Sequence, residues 1–342
     1  MNILITGGAG YIGTVLTETL LRKTNVEKVY ILDNLMYNQD GVMPFCSNPK
    51  YEFVYGDVRD KELLQTLLDK VDIVFPLAAI VGFPACDRDP RSAQEINFEH
   101  VDFIARTFKG RVIYPNSNSG YGSMGDVCTE ETPLSPISIY GLTKCEAEKS
   151  ILENGHTSLR LATVFGTSYR FRKDLLVNDF TLKSVTDGYI VLFEHTFKRN
   201  YIHIRDVIKA MIHFIGIPRS ETKEEGSIYC YRKKVEQLDM GGRYEKDSLS
   251  YFDPCGQAYN VGLSNANLSK LELCEKIKEH VPSLAIETSE FNSDPDKRNY
   301  IVSNEKIESI GWTPDHSIDD GIQELLKAYK IFTNAHTNHT NL

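Results

Sequence analysis

Short apolar runs alternate with amphipathic stretches through the first half of the chain. The run at residues 3–5 comes first, and apolar residues at helical spacing follow it over residues 12–20. Short apolar runs that alternate with helical patterns are typical of buried parallel strands joined by helices. Five further strands are predicted on the same grounds, at residues 29–32, 53–55, 73–77, 112–114 and 158–162.

This alternation predicts the α/β fold class, with a doubly wound parallel sheet that binds ligands beyond the carboxyl ends of its strands. At 342 residues the chain exceeds what one hydrophobic core usually supports, so we expect a second, smaller lobe. The predicted nucleotide-binding domain spans residues 1–166, and the chain returns to it near 201–218 and 257–263. A C-terminal lobe over residues 167–342 then covers the substrate.

Two segments depart from this pattern. Residues 219–256 are polar and mixed in charge, which predicts an insertion that forms a solvated hairpin or loop, or alternatively a lid or subunit contact. Residues 333–342 have almost no apolar content, so we expect a disordered tail.

Charge and cysteine content narrow the function classes. The net charge of -9 gives no basic surface for nucleic acid or for an anionic membrane. The N-terminal apolar run is too short for a signal peptide or a membrane span, so we expect a cytoplasmic protein. The seven cysteines contain no C-x-x-C pair, which fits reduced thiols and predicts no metal site.

Three glycines mark the turn between the first strand and the first helix. Gly7, Gly10 and Gly13 have spacings that allow a tight turn, close approach of a pyrophosphate and close packing of the helix on its strand. The second strand ends at Asp33, whose carboxylate can accept hydrogen bonds from the adenosine ribose and would repel the extra phosphate of NADP. The pattern therefore predicts an NAD site.

Tyr140 and Lys144 stand four residues apart at the start of a helical pattern, so their side chains lie on one helix face. A nearby ammonium favours the ionised form of a tyrosine, as does the positive ring of oxidised NAD. Tyr140 is therefore the candidate base that removes a hydroxyl proton.

These motifs together resemble the extended short-chain dehydrogenase/reductase family, specifically its NAD-dependent nucleotide-sugar epimerases and dehydratases. The resemblance covers nearly the whole chain and implies a Rossmann-type sheet. Further matches are the Gly56-Asp57-Val58 and Leu77-Ala78-Ala79 segments. The resemblance assigns cofactor contacts to Gly7, Gly10, Tyr11, Ile12, Gly13, Asp33, Asn34, Asp57, Val58, Leu77, Ala78, Ala79, Tyr140 and Lys144.

The resemblance also implies the substrate side. Ser117 matches the third catalytic residue, which hydrogen-bonds the reacting oxygen. Asn178 resembles the asparagine that meets the nucleotide, and Arg199 and Arg298 resemble two clamps for its diphosphate. The expected substrate contacts are Ser117, Asn118, Ser119, Asn178, Arg199 and Arg298.

Family chemistry begins with NAD-dependent oxidation of a sugar C4 hydroxyl. Relatives that eliminate water place a carboxylate one or two residues after the catalytic serine, and a deoxy-sugar branch uses a cysteine at the second of these positions. Asn118 and Ser119 stand there in this chain, which disfavours both branches. The remaining outcomes are a 4-dehydrogenase and a C4 epimerase.

Several blocks, from the catalytic strand to the C-terminus, resemble the GDP-heptose 4-dehydrogenases of bacterial capsule biosynthesis. The best match is therefore a GDP-D-glycero-α-D-manno-heptose 4-dehydrogenase that holds its NAD tightly and recycles NADH with 2-oxoglutarate. Pro76 stands where many relatives have histidine, and Thr163 replaces the asparagine that epimerases of UDP-galactose have near the phosphates. Both differences weaken the hypothesis of a galactose epimerase.

A third hypothesis belongs to another class: a scaffold that binds NAD and a nucleotide sugar without catalysis. Its mark would be loss of Ser117, Tyr140 or Lys144, and all three are present. Relatives pair through two helices, which correspond here to residues 92–108 and 139–152, so a homodimer is expected.

Overall fold

The predicted apolar runs form the strands of one parallel sheet. The computed structural model describes residues 1–215, 254–289 and 298–334, and the remaining positions are left aside. The strands are β1 Asn2–Thr6, β2 Lys28–Asp33, β3 Tyr51–Tyr55, β4 Ile73–Pro76, β5 Arg111–Ser117, β6 Ser123–Cys128, β7 Thr157–Leu161, β8 Thr163–Phe165, β9 Tyr189–Leu192, β10 Lys198–His203, β11 Ala258–Val261, β12 Asn267–Ser269, β13 Ala285–Thr288 and β14 Asn299–Val302.

The helices connect these strands in the predicted alternation. A π-helical turn at Glu95–Glu99 links α4 to α5, so that residues 90–107 form one continuous helical stretch. The helices are α1 Tyr11–Leu21, α2 Lys61–Leu68, α3 Phe83–Arg88, α4 Pro90–Gln94, α5 His100–Thr107, α6 Ile139–Glu153, α7 Leu176–Thr186, α8 Ile204–Ile215, α9 Lys270–His280, α10 Glu305–Ser309 and α11 Ile318–Asn334.

The central sheet has seven strands in the order β11-β7-β5-β4-β1-β2-β3, and every pairing is parallel. The predicted Rossmann-type doubly wound fold is confirmed. Because successive strand residues face opposite sides, Ile3 and Ile5 pack with α1 and α8, whereas Leu4 packs with α2, α5 and α6. Both faces are buried, which explains why the strand sequences read as continuous apolar runs.

A smaller core lies outside the central sheet. Residues of α7, α9 and α11 pack around Phe165 and Tyr201, which are fully buried. Strands β12, β10 and β8 form a three-stranded sheet in that order beside this core. Strand β11 then returns to the edge of the central sheet.

The predicted insertion and the predicted tail are described only in part. Residues 219–253 of the predicted insertion lie outside the described part of the chain. The predicted tail starts too early, because α11 continues to Asn334 and its first two residues are therefore helical. Helix α11 packs against α7.

Candidate active site

The glycine turn lies where the strand order of the sheet reverses, between β1 and β4. Gly7 has a φ of +68°, and a Cβ there would lie 2.6 Å from the backbone of Ala78. A Cβ on Gly13 would lie 2.6 Å from the backbone of Gly8. Only glycine fits at these two positions, because a side chain would collide with the neighbouring backbone. The close packing brings the amino end of α1 to the wall of the cleft.

Asp33 ends β2 and is almost fully buried. Its carboxylate accepts hydrogen bonds from the backbone N–H of Ala9 at 3.0 Å, that of Leu35 at 2.9 Å and the Gln39 side chain at 3.1 Å. Burial raises the pKa of this carboxyl above its usual value, while the two backbone N–H groups oppose the shift. These contacts fix an acceptor beside the glycine turn, as recognition of a ribose requires.

Replacing Asp33 with alanine is expected to weaken NAD binding by about tenfold to a hundredfold. Hydrogen bonds to charged groups contribute roughly 1.5–3 kcal/mol, which corresponds to that range. Calorimetric titration of cofactor-free protein measures the change, with Asp40→Ala, an exposed position on the same loop, as the control. Equal NAD affinity in the two variants would contradict the assigned role.

Tyr140 and Lys144 lie one turn apart on α6, which begins after Ser138 caps it by accepting the Gly141 N–H at 3.1 Å. Lys144 is buried, and its Nζ donates to the carbonyl of Pro115 at 2.8 Å. Burial lowers the pKa of Lys144 to about 7, although Glu148 opposes the shift. A negative charge on Tyr140 would favour the ammonium form of Lys144 in return.

Ser117 ends β5 and lies against Tyr140. Burial raises the pKa of Tyr140 to about 12, and the charge of Arg298 and a hydrogen bond with Ser117 act in the opposite direction. The Oγ atoms of Ser117 and Ser119 are 2.8 Å apart, and Arg298 donates through Nη1 to Ser119 Oγ. The predicted catalytic residues therefore lie together and are joined to a guanidinium.

Sequence reasoning missed the support beneath α6. Glu148 is almost fully buried, one turn beyond Lys144, and forms an ion pair of 2.8 Å with the buried Arg160. Glu148 also accepts from Asn116 at 2.7 Å and Ser158 at 2.6 Å. The pair ties α6 to the neighbouring strands, and a charged pair twelve residues apart gives no local signal of contact.

Asn97 was also missed. It lies in the π-helical turn and is almost fully buried. Its side chain accepts from the Ile80 N–H at 2.8 Å, donates to the Ile80 carbonyl at 3.0 Å and reaches Thr143 at 3.3 Å. Asn97 therefore holds the segment after β4 against α6. Sequence could not predict this role, because a π-helical turn has no recognisable sequence pattern.

Most predicted site residues line one cleft with a volume of about 900 Å³. This size is typical of ligand pockets. The cleft also includes Gln39, Arg170, Arg172 and Lys270, which were not predicted. The predicted residues in its lining are Gly7, Gly10, Tyr11, Ile12, Gly13, Asp33, Asn34, Val58, Leu77, Ala78, Ala79, Ser117, Ser119, Tyr140, Lys144, Arg199 and Arg298.

Two predicted contacts, Asp57 and Asn118, lie outside this lining. The carboxylate of Asp57 is held by Arg59 at 2.8 Å and by Asn34 at 3.2 Å, and the Arg59 hydrogen bond contributes most to lowering its pKa to about 2. Asn118 is almost fully buried beneath the Ser117–Ser119 turn. Both contacts stay predictions.

Asn178 also lies outside this lining. It is fully buried, and its side chain accepts from the Gly166 N–H at 3.1 Å and donates to the Arg172 carbonyl at 2.8 Å. The Tyr11 hydroxyl, which lies in the glycine turn, donates to the Gly166 carbonyl at 2.8 Å. Asn178 therefore holds the connection between β8 and α7, and its contact with the nucleotide stays a prediction.

One trio of metal-binding residue types converges in the described part of the chain: His203, Asp206 and His316. Asp206 accepts the N–H groups of Asp315 at 2.9 Å and His316 at 3.0 Å, and the two imidazole rings are stacked with centroids 4.4 Å apart. The trio fastens the loop before α11 to α8, and it does not line the cleft.

No helix in the described ranges is both long enough and apolar enough to cross a bilayer.

The parallel sheet, the glycine turn with Asp33 and the Ser117, Tyr140 and Lys144 group are features of an NAD-dependent enzyme. A model described as the NAD dependent epimerase/dehydratase family matches residues 3–229. The chain belongs to this family, whose members use NAD as cofactor.

Curated relatives and solved structures agree with this assignment. The chain is 26% identical to the low-salt glycan biosynthesis protein Agl12 of Haloferax volcanii, over 96% of this chain and 98% of that protein. It is 27% identical to a UDP-glucose 4-epimerase of Lactobacillus helveticus, over 70% and 83%. A UDP-glucuronic acid 4-epimerase from Bacillus cereus, solved with UDP-glucuronic acid and NAD, has the same fold, with a TM-score of 0.77 at 21% identity over 97% and 100% of the two chains.

Proposed function

We propose that the protein oxidises the C4 hydroxyl of a nucleotide-activated sugar and releases a 4-keto sugar. The observation that carries this proposal is the arrangement of Ser117, Tyr140 and Lys144 in a cleft whose described residues place no carboxylate beside them. Tyr140 takes the hydroxyl proton, Ser117 hydrogen-bonds the reacting oxygen, and the Lys144 ammonium stabilises the phenolate. Bound NAD supplies the hydride acceptor.

The position of the carboxylates argues against elimination of water. The described residues that line the cleft include three of them: Asp33, Asp174 and Asp179. Asp33 belongs to the adenosine side, Asp174 pairs with Arg172, and Asp179 pairs with Lys183 at 2.7 Å. A dehydratase needs an acid or base beside the reacting sugar, and none of these carboxylates serves there.

The nucleotide diphosphate is assigned to Arg199 and Lys270. Both are buried cations that line the cleft, and Arg199 lies over the ring of Tyr300 with its guanidinium carbon 5.5 Å from the centroid. A buried guanidinium and a buried ammonium together offer the donors that phosphate oxygens require.

The proposed substrate is GDP-D-glycero-α-D-manno-heptose, in the biosynthesis of capsule or another surface polysaccharide. The resemblance of the motif blocks to heptose 4-dehydrogenases supports this choice. A 2-oxo acid such as 2-oxoglutarate is the proposed oxidant that restores NAD, with its carbonyl reduced to a hydroxyl. The proton for that step comes from Tyr140, which regains its base form.

A C4 epimerase is the second candidate. The similarity to a UDP-glucose 4-epimerase favours it. The described cleft residues place no carboxylate beside Tyr140, which is compatible with either reaction. An epimerase returns the hydride to the opposite face of the same sugar and needs no external oxidant.

Mass analysis of the sugar product separates the two reactions. The purified protein is incubated with GDP-, UDP-, CDP- and dTDP-sugars, including GDP-heptose, with and without 2-oxoglutarate. The proposal expects a product lighter by two hydrogens whose amount grows with the keto acid. A new isomer of unchanged mass, independent of the keto acid, would instead identify an epimerase.

We also propose a homodimer built on α5 and α6, which pack against each other and leave Leu142 half-exposed. Sedimentation velocity measures this state directly. A Leu142→Glu variant is expected to sediment as a monomer.

A further inference from the structure

A loop of the large lobe and the connection to the small lobe meet at the adenosine end of the cleft. The loop spans residues 34–45 and directly follows Asp33, and the connection spans residues 166–175 between β8 and α7. Tyr37 on the loop and Arg170 on the connection both line the cleft. The guanidinium carbon of Arg170 lies 5.4 Å from the centre of the Tyr37 ring, within the range of a cation–π contact. The two side chains therefore join the two walls of the cleft at this end.

The loop holds Tyr37 in a constrained turn. Leu35 and Asn38 have φ values of +53° and +51°, in the left-handed region that residues other than glycine rarely adopt. One oxygen of Asp33 accepts the Leu35 N–H at 2.9 Å and the Gln39 side chain at 3.1 Å. Such conformations persist where surrounding contacts fix them, and they are concentrated at ligand clamps. The carboxylate that faces the ribose and the turn that carries Tyr37 are therefore one unit.

The connection is anchored around Arg170 by other contacts. A Cβ on Gly41 would lie 2.8 Å from the backbone carbonyl carbon of Tyr169, so loop and connection pack closely there. The Ser168 hydroxyl donates at 2.7 Å to the carbonyl of Tyr11, the first residue of α1. In the described part of the chain, the Arg170 guanidinium has no ion pair or hydrogen bond, and the ring of Tyr37 is its partner. The cation–π contact is therefore the interaction at this point that can open while its surroundings stay packed.

A second cavity lies behind this contact. It has a volume of about 450 Å³ and shares Tyr37, Gln39, Arg170 and Asp174 with the lining of the cleft. These shared residues form the partition between the two spaces, and Tyr37 is half-exposed. Separation of Tyr37 from Arg170 would join the cavity to the adenosine end of the cleft and widen the opening there.

We propose that Tyr37 and Arg170 form a latch that retains NAD by closing the adenosine end of the cleft. The inference concerns the cofactor that the family uses, and it does not depend on which sugar is oxidised. The latch joins two groups of the protein rather than the protein to the cofactor, so it slows the entry of NAD as well as its exit. An enzyme that restores NAD without releasing it needs such retention between its two half-reactions.

Stopped-flow measurements of cofactor exchange test the latch. Mixing NADH-loaded protein with excess NAD gives the dissociation rate from the fall in NADH fluorescence, and mixing cofactor-free protein with NADH gives the association rate. The variants are Tyr37→Leu, which removes the ring, and Arg170→Gln, which removes the charge. Tyr37→Phe is the matched control because it keeps the ring. Lys61→Gln controls for loss of a cation, since Lys61 lies over Phe103 at 5.8 Å and neither residue lines the cleft.

Tyr37→Leu and Arg170→Gln are each expected to raise both rates by about twofold to fivefold, the effect of losing a partly exposed cation–π contact. The Kd for NADH should then change less than about twofold, because opening is favoured equally in free and loaded protein. The double variant should exchange NADH no faster than the faster single variant, since both changes break the same contact. Arg170→Lys should retain part of the latch, because an ammonium also binds the face of a tyrosine ring.

Three results would overturn the latch. Exchange in Tyr37→Leu and Arg170→Gln no faster than in the two controls would mean that the contact does not control exchange. Faster dissociation with unchanged association would make the two side chains direct ligands of NAD. Additive effects in the double variant would mean that they act independently. Failure of the proposed function looks different, because these measurements contain NAD and NADH alone, and a protein that oxidised no sugar would still show the latch.

Discussion

Replacing Tyr140 with phenylalanine is expected to lower kcat by about 10²–10⁴-fold, the range that removal of a positioned acid or base produces. The variant should fold normally and bind NAD as tightly as wild type, because only one oxygen is removed from the cleft. Steady-state kinetics on the substrate found in the product screen measure the loss. A separate titration of NAD checks that cofactor binding is intact.

Tyr201→Phe is the matched control. Tyr201 is fully buried, its hydroxyl has no hydrogen-bond partner in the structure, and it does not line the cleft. Removing this hydroxyl should leave kcat unchanged. If Tyr140→Phe and Tyr201→Phe had the same kcat, the base would be a residue other than Tyr140. If neither the variants nor the wild type converted any substrate, the protein would be the non-catalytic scaffold.

The pH dependence follows from the same group. Burial raises the pKa of Tyr140 to about 12, so the phenol is protonated at neutral pH and the base form grows as pH rises. The ammonium of Lys144 and the positive ring of NAD lower this pKa in the working complex. The rate should therefore rise with pH to a plateau, and Lys144→Met should move that rise to higher pH.

The features that sequence could predict are those formed by neighbours in the chain. The strand-turn-helix unit at the N-terminus is set by an apolar run and three glycines within eleven residues. The face shared by Tyr140 and Lys144 follows from helical spacing alone. The cleft residues that come directly after β1, β2, β4 and β5 were also predictable, because parallel strands end at one edge of a sheet.

Contacts between distant segments could not be predicted in this way. Arg298 meets Ser119 across 179 residues, and only the pairing of β14 with β6 brings them together. Asn178 matched a family motif, but its amide is used by the backbone between the lobes. Sequence identified the residue type correctly in both cases and could not say what the side chain touches.

The ion pair between Glu148 and Arg160 should have the largest effect on stability. Both side chains are almost fully buried, 6% exposed for Arg160 and 3% for Glu148. Arg160→Leu is expected to lower the free energy of unfolding by about 3–5 kcal/mol, because it leaves a buried carboxylate without its counter-charge. Urea denaturation of NAD-free protein measures the loss. The control is Lys149→Leu, which removes the exposed ion pair with Glu153 on the same helix and should change the free energy of unfolding little.

The double variant Glu148→Leu with Arg160→Met tests the physical cause. Removing both charges removes the unpaired carboxylate, so the double variant should be more stable than Arg160→Leu alone. Recovery should be partial, because Asn116 and Ser158 lose the oxygen to which they donate. If Arg160→Leu lowered the free energy of unfolding by less than about 1 kcal/mol, water would have to reach Glu148. Packing, rather than this ion pair, would then hold α6 with Tyr140 and Lys144 in place.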